Sequence, residues 1–304
     1  MKYSVVIPVY NSQDSLEELY TRIIETLKKV SDNLEVIFVD DFSSDHSWNI
    51  LLKLKNTYPK NVKIIRFAKN YGQHNAVLCG LKYSKGDRII TIDDDLQQAP
   101  EDILLLINKM DNNNTDLVYG IGGKHHSLAR RIGSKLYKQG SKHIDGKYGE
   151  GSSFRLIERS LLDKVISKKQ HFVFIEELLF WHTEYIELVK VSHHPRKSGK
   201  SGYSPLKIFK IVVNVSINYS NWPLKFMIYG GAILSLISFL FGLYFIFKKV
   251  ILGVSVPGFT ALIVAIFFST SILLLCFGIV GKYLQNIYIV LNDKPAYSIK
   301  EALL

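Results

Sequence analysis

Residues 88–98 read RIITIDDDLQQ, an apolar run that ends in three adjacent carboxylates. The apolar part, 88–92, indicates a buried strand, and Asp93, Asp94 and Asp95 follow it directly. Carboxylates this close repel one another, and removing them from water costs free energy. One interpretation is an acid-rich polar turn that caps the next helix. The other is a turn that binds a metal ion, whose charge would offset the repulsion.

Strand-like and helical patterns alternate through the N-terminal part of the chain. The strand-like runs are 3–9, 34–39, 62–67, 88–92 and 116–119. Helical patterns fill the gaps, at roughly 14–30, 45–56, 73–83 and 100–110. This alternation predicts an α/β domain with a mostly parallel sheet covered by helices. In such sheets ligands bind beyond the carboxyl ends of the strands.

The loops that follow the predicted strands are polar. They read PVYNS at 8–12, DDFSSD at 40–45, AKNYGQHNA at 68–76 and DDDLQ at 93–97. None of them matches the glycine patterns of a dinucleotide site or a P-loop. His and Cys residues do not occur at zinc-binding spacing. The loops therefore predict a different kind of ligand site.

Side chains along a strand alternate between its two faces. If that geometry continues past residue 92, Asp93 and Asp95 share a face and Asp94 points away. A pair of carboxylates on one face, with Gln97 close by, offers hard oxygen ligands. That set suits Mg²⁺ or Mn²⁺ bridging to the phosphates of a substrate.

The net charge of +11 is unevenly spread. Residues 192–292 contain no Asp or Glu but nine Lys and Arg residues: Arg196, Lys197, Lys200, Lys207, Lys210, Lys225, Lys248, Lys249 and Lys282. A basic surface suits nucleic acid, anionic lipid or a phosphorylated substrate. Two long apolar segments in the same region favour lipid and a phosphorylated substrate over nucleic acid.

These apolar segments, about 227–247 and 259–280, carry no charged residue. Each is about as long as the ~20 residues that a helix needs to cross a bilayer, so they predict two transmembrane helices within 224–283. Before them, 204–223 has the pattern of an amphipathic helix at the membrane interface. A core helix of a soluble domain is the alternative for these stretches. The remaining divisions are the α/β domain at 1–203 and a tail at 284–304.

The expected location is the cytoplasmic membrane, with the chain crossing it more than once. The apolar run in the N-terminal sequence MKYSVVIPVYN is too short for a signal peptide. Lysines flank the apolar segments on their outer ends, which favours both ends in the cytoplasm. The α/β domain and the tail are therefore expected on the cytoplasmic side.

Six motifs, in order, resemble the family-2 glycosyltransferases of GT-A fold, and in particular the polyprenyl-phosphate glycosyltransferases. They are VVIPVYN, VDDFSSD, KNYGQHNA, IDDDLQQAPED, RKSGKSGYS and the two apolar segments. The resemblance implies an inverting transferase that moves one sugar from a UDP- or GDP-linked donor to a polyprenyl phosphate such as undecaprenyl phosphate. It also implies dependence on Mg²⁺ or Mn²⁺ and a place in making cell-envelope glycans.

The resemblance assigns donor-site roles to individual positions. Pro8, Tyr10 and Asn11 line the nucleotide pocket, and Asp41 reads the base. Gly72 lets the chain pass close to the nucleotide. The remaining positions complete the donor and metal site: Asp93 at the ribose or metal, Asp95 on the metal, and Gln97 in support.

On the acceptor side, a phosphate monoester is already an anion at neutral pH, since its second pKa is ~6. It needs positioning and charge compensation more than a base. The candidates are Arg130, Arg131, Arg196 and Lys197, because arginine binds phosphate bidentately. A solvated surface charge is the alternative for each.

Two departures leave the acceptor open. Many relatives carry an acid just before the Phe-Arg pair of a GDFR-like turn, whereas this chain reads GSSFR, with Ser153 there. Conversely, Glu176 or Glu177 offers a general base, which would suit a hydroxyl acceptor such as a lipid-linked sugar; an acid favoured by a helix N-terminus is the plain alternative.

Other classes fit less well. A processive polysaccharide synthase would need more spans and a Q-x-x-R-W motif, which the chain lacks. A non-catalytic binding protein is disfavoured by the intact pair Asp93 and Asp95. Transport of the product is not expected of the apolar segments, since they carry no ionisable side chain. That step would need a separate flippase, and paired spans leave a homo-oligomer open.

Overall fold

The computed structural model describes residues 1–122, 152–167, 175–192, individual helical positions between 227 and 251, 258–291 and 295–304. The chain divides into two units. One comprises Met1–Ser134, His143–Gly202 and Lys294–Leu304, and the other comprises Lys135–Lys142 and Tyr203–Asp293.

The described part of the first unit is built on one sheet. Its strands are β1 Tyr3–Val9, β2 Leu34–Asp40, β3 Val62–Phe67, β4 Arg88–Thr91, β5 Leu117–Gly122, β6 Arg155–Glu158, β7 Ile186–Val191 and β8 Ile299–Leu303. Their order across the sheet is β7-β5-β6-β4-β1-β2-β3-β8. β1 pairs in parallel with β2 and β4, β2 with β3, and β5 with β7, whereas β6 and β8 are antiparallel to their neighbours. The predicted mostly parallel sheet is confirmed, and its two antiparallel strands were not predicted.

The predicted helices are present, with bounds that differ by a few residues. They are α1 Leu16–Leu27, α2 Ser47–Thr57, α3 Gln73–Tyr83, a 3₁₀ turn Pro100–Asp102 and α4 Ile103–Asn113. Further along lie α5 Arg159–Ile166, α6 Ile175–His182 and α7 Phe259–Leu291. α1 begins with Glu17 and Glu18, whose charges suit a helix N-terminus. α4 ends at Asn114 in the left-handed conformation common at helix C-termini.

Helices cover both faces of the central strands. Every residue of β1 and of β2 is buried, which is typical of a parallel sheet enclosed on both sides. Val5 and Ile7 belong to the cluster that includes the apolar residues of α1 and α4. On the other face α3 approaches closely, since a Cβ at Gly80 would lie 2.3 Å from Val6 Cγ1. The enclosed strands hold the loops at their carboxyl ends in fixed positions.

A buried carboxylate joins the opposite, amino-terminal ends of the strands. Glu35, 4% exposed, accepts hydrogen bonds from the Ser4 hydroxyl and the Lys85 N–H, both at 2.6 Å. The Lys63 and Lys2 ammonium groups lie 2.9 and 3.3 Å from its other oxygen. Burial alone would raise the pKa of Glu35, but the hydrogen bonds from Ser4, Lys63 and Lys85 lower it to about 2. The charged carboxylate therefore stabilises this end of the sheet.

The residues expected to form a tail, 284–304, are largely structured. Helix α7 continues to Leu291, and Ile299–Leu303 forms β8 at the edge of the sheet beside β3. A short strand with exposed residues on both faces has little apolar patterning, so a strand was not predicted there.

Within the described residues, one helix is long and apolar enough to cross a membrane. The 18-residue stretch Phe268–Gln285 of α7 meets these criteria, with a mean hydropathy of 1.4. α7 contains the predicted segment 259–280 and continues eleven residues further, to Leu291. Many of its described large apolar side chains are exposed, including Leu262, Ile266 and Phe277. The predicted segment 204–223 lies outside the described residues, and 227–247 is described only at individual helical positions.

We expect the substitution Glu35→Ala to lower the melting temperature of the purified chain by about 5–10 °C. It removes the acceptor of the buried Ser4 hydroxyl and of the partly buried Lys85 N–H, at a cost of about 2–4 kcal/mol. The measurement is thermal unfolding in detergent. Glu17→Ala is the control, because its pair with Lys53, at 2.8 Å, is exposed and such pairs contribute about 0–1 kcal/mol. Equal losses in both variants would contradict a buried role for Glu35.

Candidate active site

Four loops meet at the carboxyl edge of the central strands, and each contains a residue with positive φ. They are Asn11 after β1 (54°), Phe42 after β2 (64°), Gly72 after β3 (90°) and Leu96 after β4 (57°). Non-glycine residues rarely adopt such angles, which cost free energy unless the surroundings impose them. A cluster of such angles at the ligand-binding edge of an α/β sheet marks it as the candidate site.

Asp94 holds the loop after β1. Its carboxylate accepts hydrogen bonds from the Tyr10 N–H at 3.0 Å and the Ser12 hydroxyl at 2.5 Å. Its main-chain carbonyl accepts the Ser15 hydroxyl. Burial raises the pKa of Asp94 to about 7, although the bonds from Ser12 and Tyr10 oppose that rise. Asp94 thus faces the first loop.

Asp93 turns to a different set of partners. The side chains of Gln73 and Ser153 donate hydrogen bonds to its two oxygens, at 2.6 and 2.5 Å. Gln98 donates more weakly at 3.4 Å. Burial raises the pKa of Asp93 to about 6, Ser153 lowers it, and the neighbouring charge of Asp95 raises it. Ser153, noted in the sequence only for lacking a carboxylate, therefore supports Asp93.

Asp95 is half-exposed and shapes its own turn. Its Oδ1 accepts the Gln97 N–H at 3.1 Å, the arrangement of an Asx turn. No group of three or more His, Cys, Asp or Glu side chains in the described parts of the chain is arranged to hold a metal ion. Mg²⁺, however, is commonly held by one or two carboxylates together with substrate phosphates. The carboxylates of Asp93 and Asp95 fit that pattern.

Asp41 holds the loop after β3. Its two carboxylate oxygens accept the Tyr71 N–H at 2.6 Å and the Gly72 N–H at 2.8 Å. Burial raises the pKa of Asp41 to about 6, these two bonds lower it, and Asp40 raises it. The backbone of Gly72 has a φ of 90°, which a residue with a side chain rarely adopts. Crowding is not the reason for glycine here, because a Cβ would meet nothing within 4 Å. The second acid of VDD and the glycine of NYG are therefore directly joined.

The loops after β1 and β2 are also joined. The Asn11 N–H donates to Ser43 Oγ at 3.0 Å, and Asn11 Oδ1 accepts the Ser44 N–H at 2.8 Å. Pro8 is buried in β1, whereas the Tyr10 side chain is 51% exposed at the edge. The structure brings the predicted donor-site residues to one edge.

A buried arginine that sequence reasoning missed lies close to this edge. Arg155 is 2% exposed and is held by Thr91 Oγ1 at 2.9 Å and Glu176 Oε1 at 3.3 Å. Glu176 also lies 3.7 Å from His74 Nδ1. Burial lowers the pKa of His74, which the charge of Glu176 opposes. The motif GSSFR contained the signal, because an arginine at an inward strand position needs a buried partner.

Glu176 therefore forms an ion pair with the buried Arg155. This pairing is a structural role and not the role of a general base. Glu177 belongs to α6, but its side chain is outside the description. The four cationic candidates Arg130, Arg131, Arg196 and Lys197 lie outside the described residues.

Arg155→Met should lower the melting temperature by about 5–10 °C, because it leaves the Glu176 carboxylate buried without its cation. Adding Glu176→Gln should recover part of that loss, since the amide is neutral. A double-mutant cycle measured by thermal unfolding in detergent checks the coupling. Losses that simply add would show that the two side chains do not depend on each other.

Comparison with known proteins places this edge in a family context. Residues 4–165 match the family model described as Glycosyl transferase family 2. The uncharacterized glycosyltransferase sll0501 of Synechocystis sp. is 30% identical over 99% of this chain and 95% of its own length. The undecaprenyl-phosphate 4-deoxy-4-formamido-L-arabinose transferase of Klebsiella pneumoniae is 29% identical over 99% and 94%. The match to the family model contains all four loops of the candidate site.

A solved structure shares the fold. Glucosyl-3-phosphoglycerate synthase of Mycobacterium tuberculosis, crystallised with Mn²⁺, UDP-glucose and phosphoglyceric acid, has a TM-score of 0.52 at 17% identity. The alignment covers 71% of this chain and 77% of that one. Together with the family match, it confirms the expected GT-A fold.

Proposed function

The chain belongs to glycosyl transferase family 2, and we propose that it moves one sugar from a nucleotide diphosphate sugar to a polyprenyl phosphate at the cytoplasmic face of a membrane. The observation that carries the proposal is the acid turn 93–95, held between the loops that follow β1 and β3. The Klebsiella pneumoniae relative, named for undecaprenyl phosphate and similar over almost its whole length, supports the choice of acceptor.

The donor would lie across the joined loops. Asp41 is fixed by two backbone N–H groups, and each of its oxygens retains a lone pair that can accept a base N–H. The exposed Tyr10 ring offers a flat surface beside the nucleotide, with Pro8, Asn11 and Gly72 shaping the backbone around it. Asp93, supported by Gln73 and Ser153, would meet the ribose or the metal.

Asp95 and Asp93 would hold a divalent cation, with Gln97 in support. When bound, Mg²⁺ or Mn²⁺ supplies charge that stabilises the departing diphosphate. The protein's own part is to present these carboxylates in their charged forms and to keep the donor oriented. An oxygen of the acceptor phosphate then forms a bond to the anomeric carbon as the bond to the nucleoside diphosphate breaks. Attack from the opposite side inverts the configuration.

The acceptor is proposed to be a phosphate rather than a hydroxyl. A phosphate monoester needs no proton removed at neutral pH, whereas a hydroxyl acceptor would need a base. The candidate base, Glu176, is instead paired with the Arg155 guanidinium at 3.3 Å. The basic positions Arg196, Lys197, Arg130 and Arg131 are proposed to meet the acceptor phosphate.

The return of the chain to the sheet supports an even number of membrane crossings. β8 pairs with β3 of the sheet that residues 3–191 build, so the chain before residue 203 and the chain after residue 294 belong to one folded unit. If α7 crosses the membrane once, a second crossing must precede it. The apolar segment 227–247 is the candidate, and 204–223 would lie at the interface. The lack of ionisable side chains in 259–280 suits an anchor, with a separate flippase moving the product.

The product of the reaction tests the proposal. The purified full chain is incubated with undecaprenyl phosphate and a panel of radiolabelled UDP- and GDP-sugars in the presence of Mn²⁺. We expect the label to appear in a lipid. Mild acid should then release the labelled sugar, because the linkage between a sugar and a phosphate is labile in acid. Label in an acid-stable glycoside would instead support a hydroxyl acceptor, and nucleotide release without lipid labelling would contradict the proposed acceptor.

Activity should require a divalent cation, and Asp95→Ala should lower kcat by at least about a hundredfold. The substitution removes a proposed ligand whose charge stabilisation is worth several kcal/mol. Turnover measured before and after chelation, and after Mn²⁺ is restored, checks the first part. Full activity in chelator, or a mild effect of Asp95→Ala in a correctly folded protein, would remove the metal from the mechanism.

The loop between the two proposed spans should face the outside of the cell. Ser255→Cys should react with a membrane-impermeant maleimide in intact cells, whereas Ser167→Cys, exposed on the sheet-bearing unit, should react only after permeabilisation. The parent chain, with its buried Cys79 and its Cys276, gives the background. Labelling of Ser255→Cys only after permeabilisation would contradict two crossings.

A further inference from the structure

The residues that follow helix α7 return to the sheet beside a loop of the candidate site. In β8, Leu303 lies opposite Ile64 and Ile299 lies opposite Phe67, the last residue of β3. The Ala68 N–H then donates to the Ser298 carbonyl at 2.9 Å. The C-terminal segment 295–303 therefore runs against β3 up to the start of the 68–72 loop.

Tyr297 anchors this segment. Its ring stacks on Phe67 with the centroids 4.9 Å apart and the planes 18° from parallel. On the side of helix α3, Lys82 Nζ lies 5.8 Å from the ring centroid. Aromatic pairs of this kind contribute about 0.5–1.5 kcal/mol beyond the area they bury. Tyr297 is therefore held by β3 on one side and by α3 on the other.

The contacts continue from Phe67 into the loop. The Tyr71 ring meets Phe67 edge to face, with centroids 5.6 Å apart and planes at 85°. The N–H groups of Tyr71 and Gly72 in turn donate to the two oxygens of Asp41. One continuous series of contacts thus leads from Tyr297 through Phe67 and Tyr71 to Asp41.

We propose that Tyr297 and β8 position the 68–72 loop for the nucleoside diphosphate part of the donor. The inference rests on the proposed function, in which Asp41 and Gly72 contact the donor. Gly72 lies at φ 90°, and a loop that passes through such a conformation needs neighbours that hold it there. Phe67 and Tyr71 are two of those neighbours, and the ring of Tyr297 covers Phe67. Tyr297 is a positioning residue, since it acts through them.

The C-terminal segment 295–303 and the 68–72 loop are far apart in the sequence. Residues 295–303 come after the apolar helix α7, whereas the loop they support lies more than two hundred positions earlier. The donor half of the site is therefore complete only when the last residues of the chain have reached the sheet. A protein that lacks its C-terminal strand should bind donor poorly even though every motif of the site is intact.

Calorimetric binding of UDP and of GDP, with Mn²⁺, to the detergent-purified full chain tests the proposal. For the nucleotide that the parent chain binds, Tyr297→Ala should weaken affinity about five- to tenfold, as expected from losing about 1 kcal/mol of ordering contacts. Tyr297→Phe keeps the stacked ring and should stay within about twofold. Leu303→Ala is the matched control, because it shortens an apolar side chain of the same strand at the end far from the loop.

Steady-state kinetics separates positioning from general damage. Tyr297→Ala should raise the donor KM by a similar factor while kcat and the acceptor KM stay within about twofold. Unchanged nucleotide affinity in Tyr297→Ala would overturn the inference, as would equal losses in Leu303→Ala or in Tyr297→Phe. If the parent chain binds neither UDP nor GDP, the donor assignment itself fails. Equal nucleotide affinities of the parent chain and of Tyr297→Ala would contradict only the positioning role of Tyr297.

Discussion

The placement of three adjacent carboxylates at the end of a buried strand is the constraint on which the site depends. Their mutual repulsion is met by giving each a different environment. Asp94 faces the first loop and accepts two hydrogen bonds there. Asp93 is held by the side chains of Gln73 and Ser153. Asp95 closes its own turn on the Gln97 N–H. Because each carboxylate binds a different segment, the same acids that repel one another also join the loops of the edge.

The sheet supplies the rigid frame that this arrangement needs. β1 and β2 are buried along their whole length, so the loops after them have little freedom. The buried Arg155, with Thr91 and Glu176 around it, fills the layer beside the acid turn. At the far edge, β8 covers β3 and so brings the end of the chain into the frame. Along the sequence, the apolar helix α7 therefore lies between two segments that belong to one folded unit.

Much of the fold followed from patterns that depend on local physics. The run at 3–9 became β1 with the same bounds, because a strand buried on both faces is mostly apolar. The run at 62–67 became β3 with the same bounds, although the partly buried Lys63 and Arg66 interrupt its apolar sequence. The alternation argument placed Asp94 apart from Asp93, in agreement with their separate partners. β8 was missed because an exposed edge strand needs no such pattern. Arg155 was missed because the motif GSSFR was considered only for its absent acid, and the partner Glu176 comes from a separate helix. The roles of Asp41 and Asp95 toward a ligand remain proposals.

Binding of Mn²⁺ measured by electron paramagnetic resonance tests most directly whether Asp94 and Asp95 have separate roles. The full chain is titrated with Mn²⁺ in the presence of UDP or GDP, alongside the charge-neutral variants Asp94→Asn and Asp95→Asn. A site in which Asp95 is a ligand and Asp94 a loop anchor predicts nucleotide-dependent Mn²⁺ binding that Asp94→Asn retains within about threefold and Asp95→Asn loses by at least about tenfold, or 1.4 kcal/mol. Binding that survives in Asp95→Asn but is lost in Asp94→Asn would contradict that division.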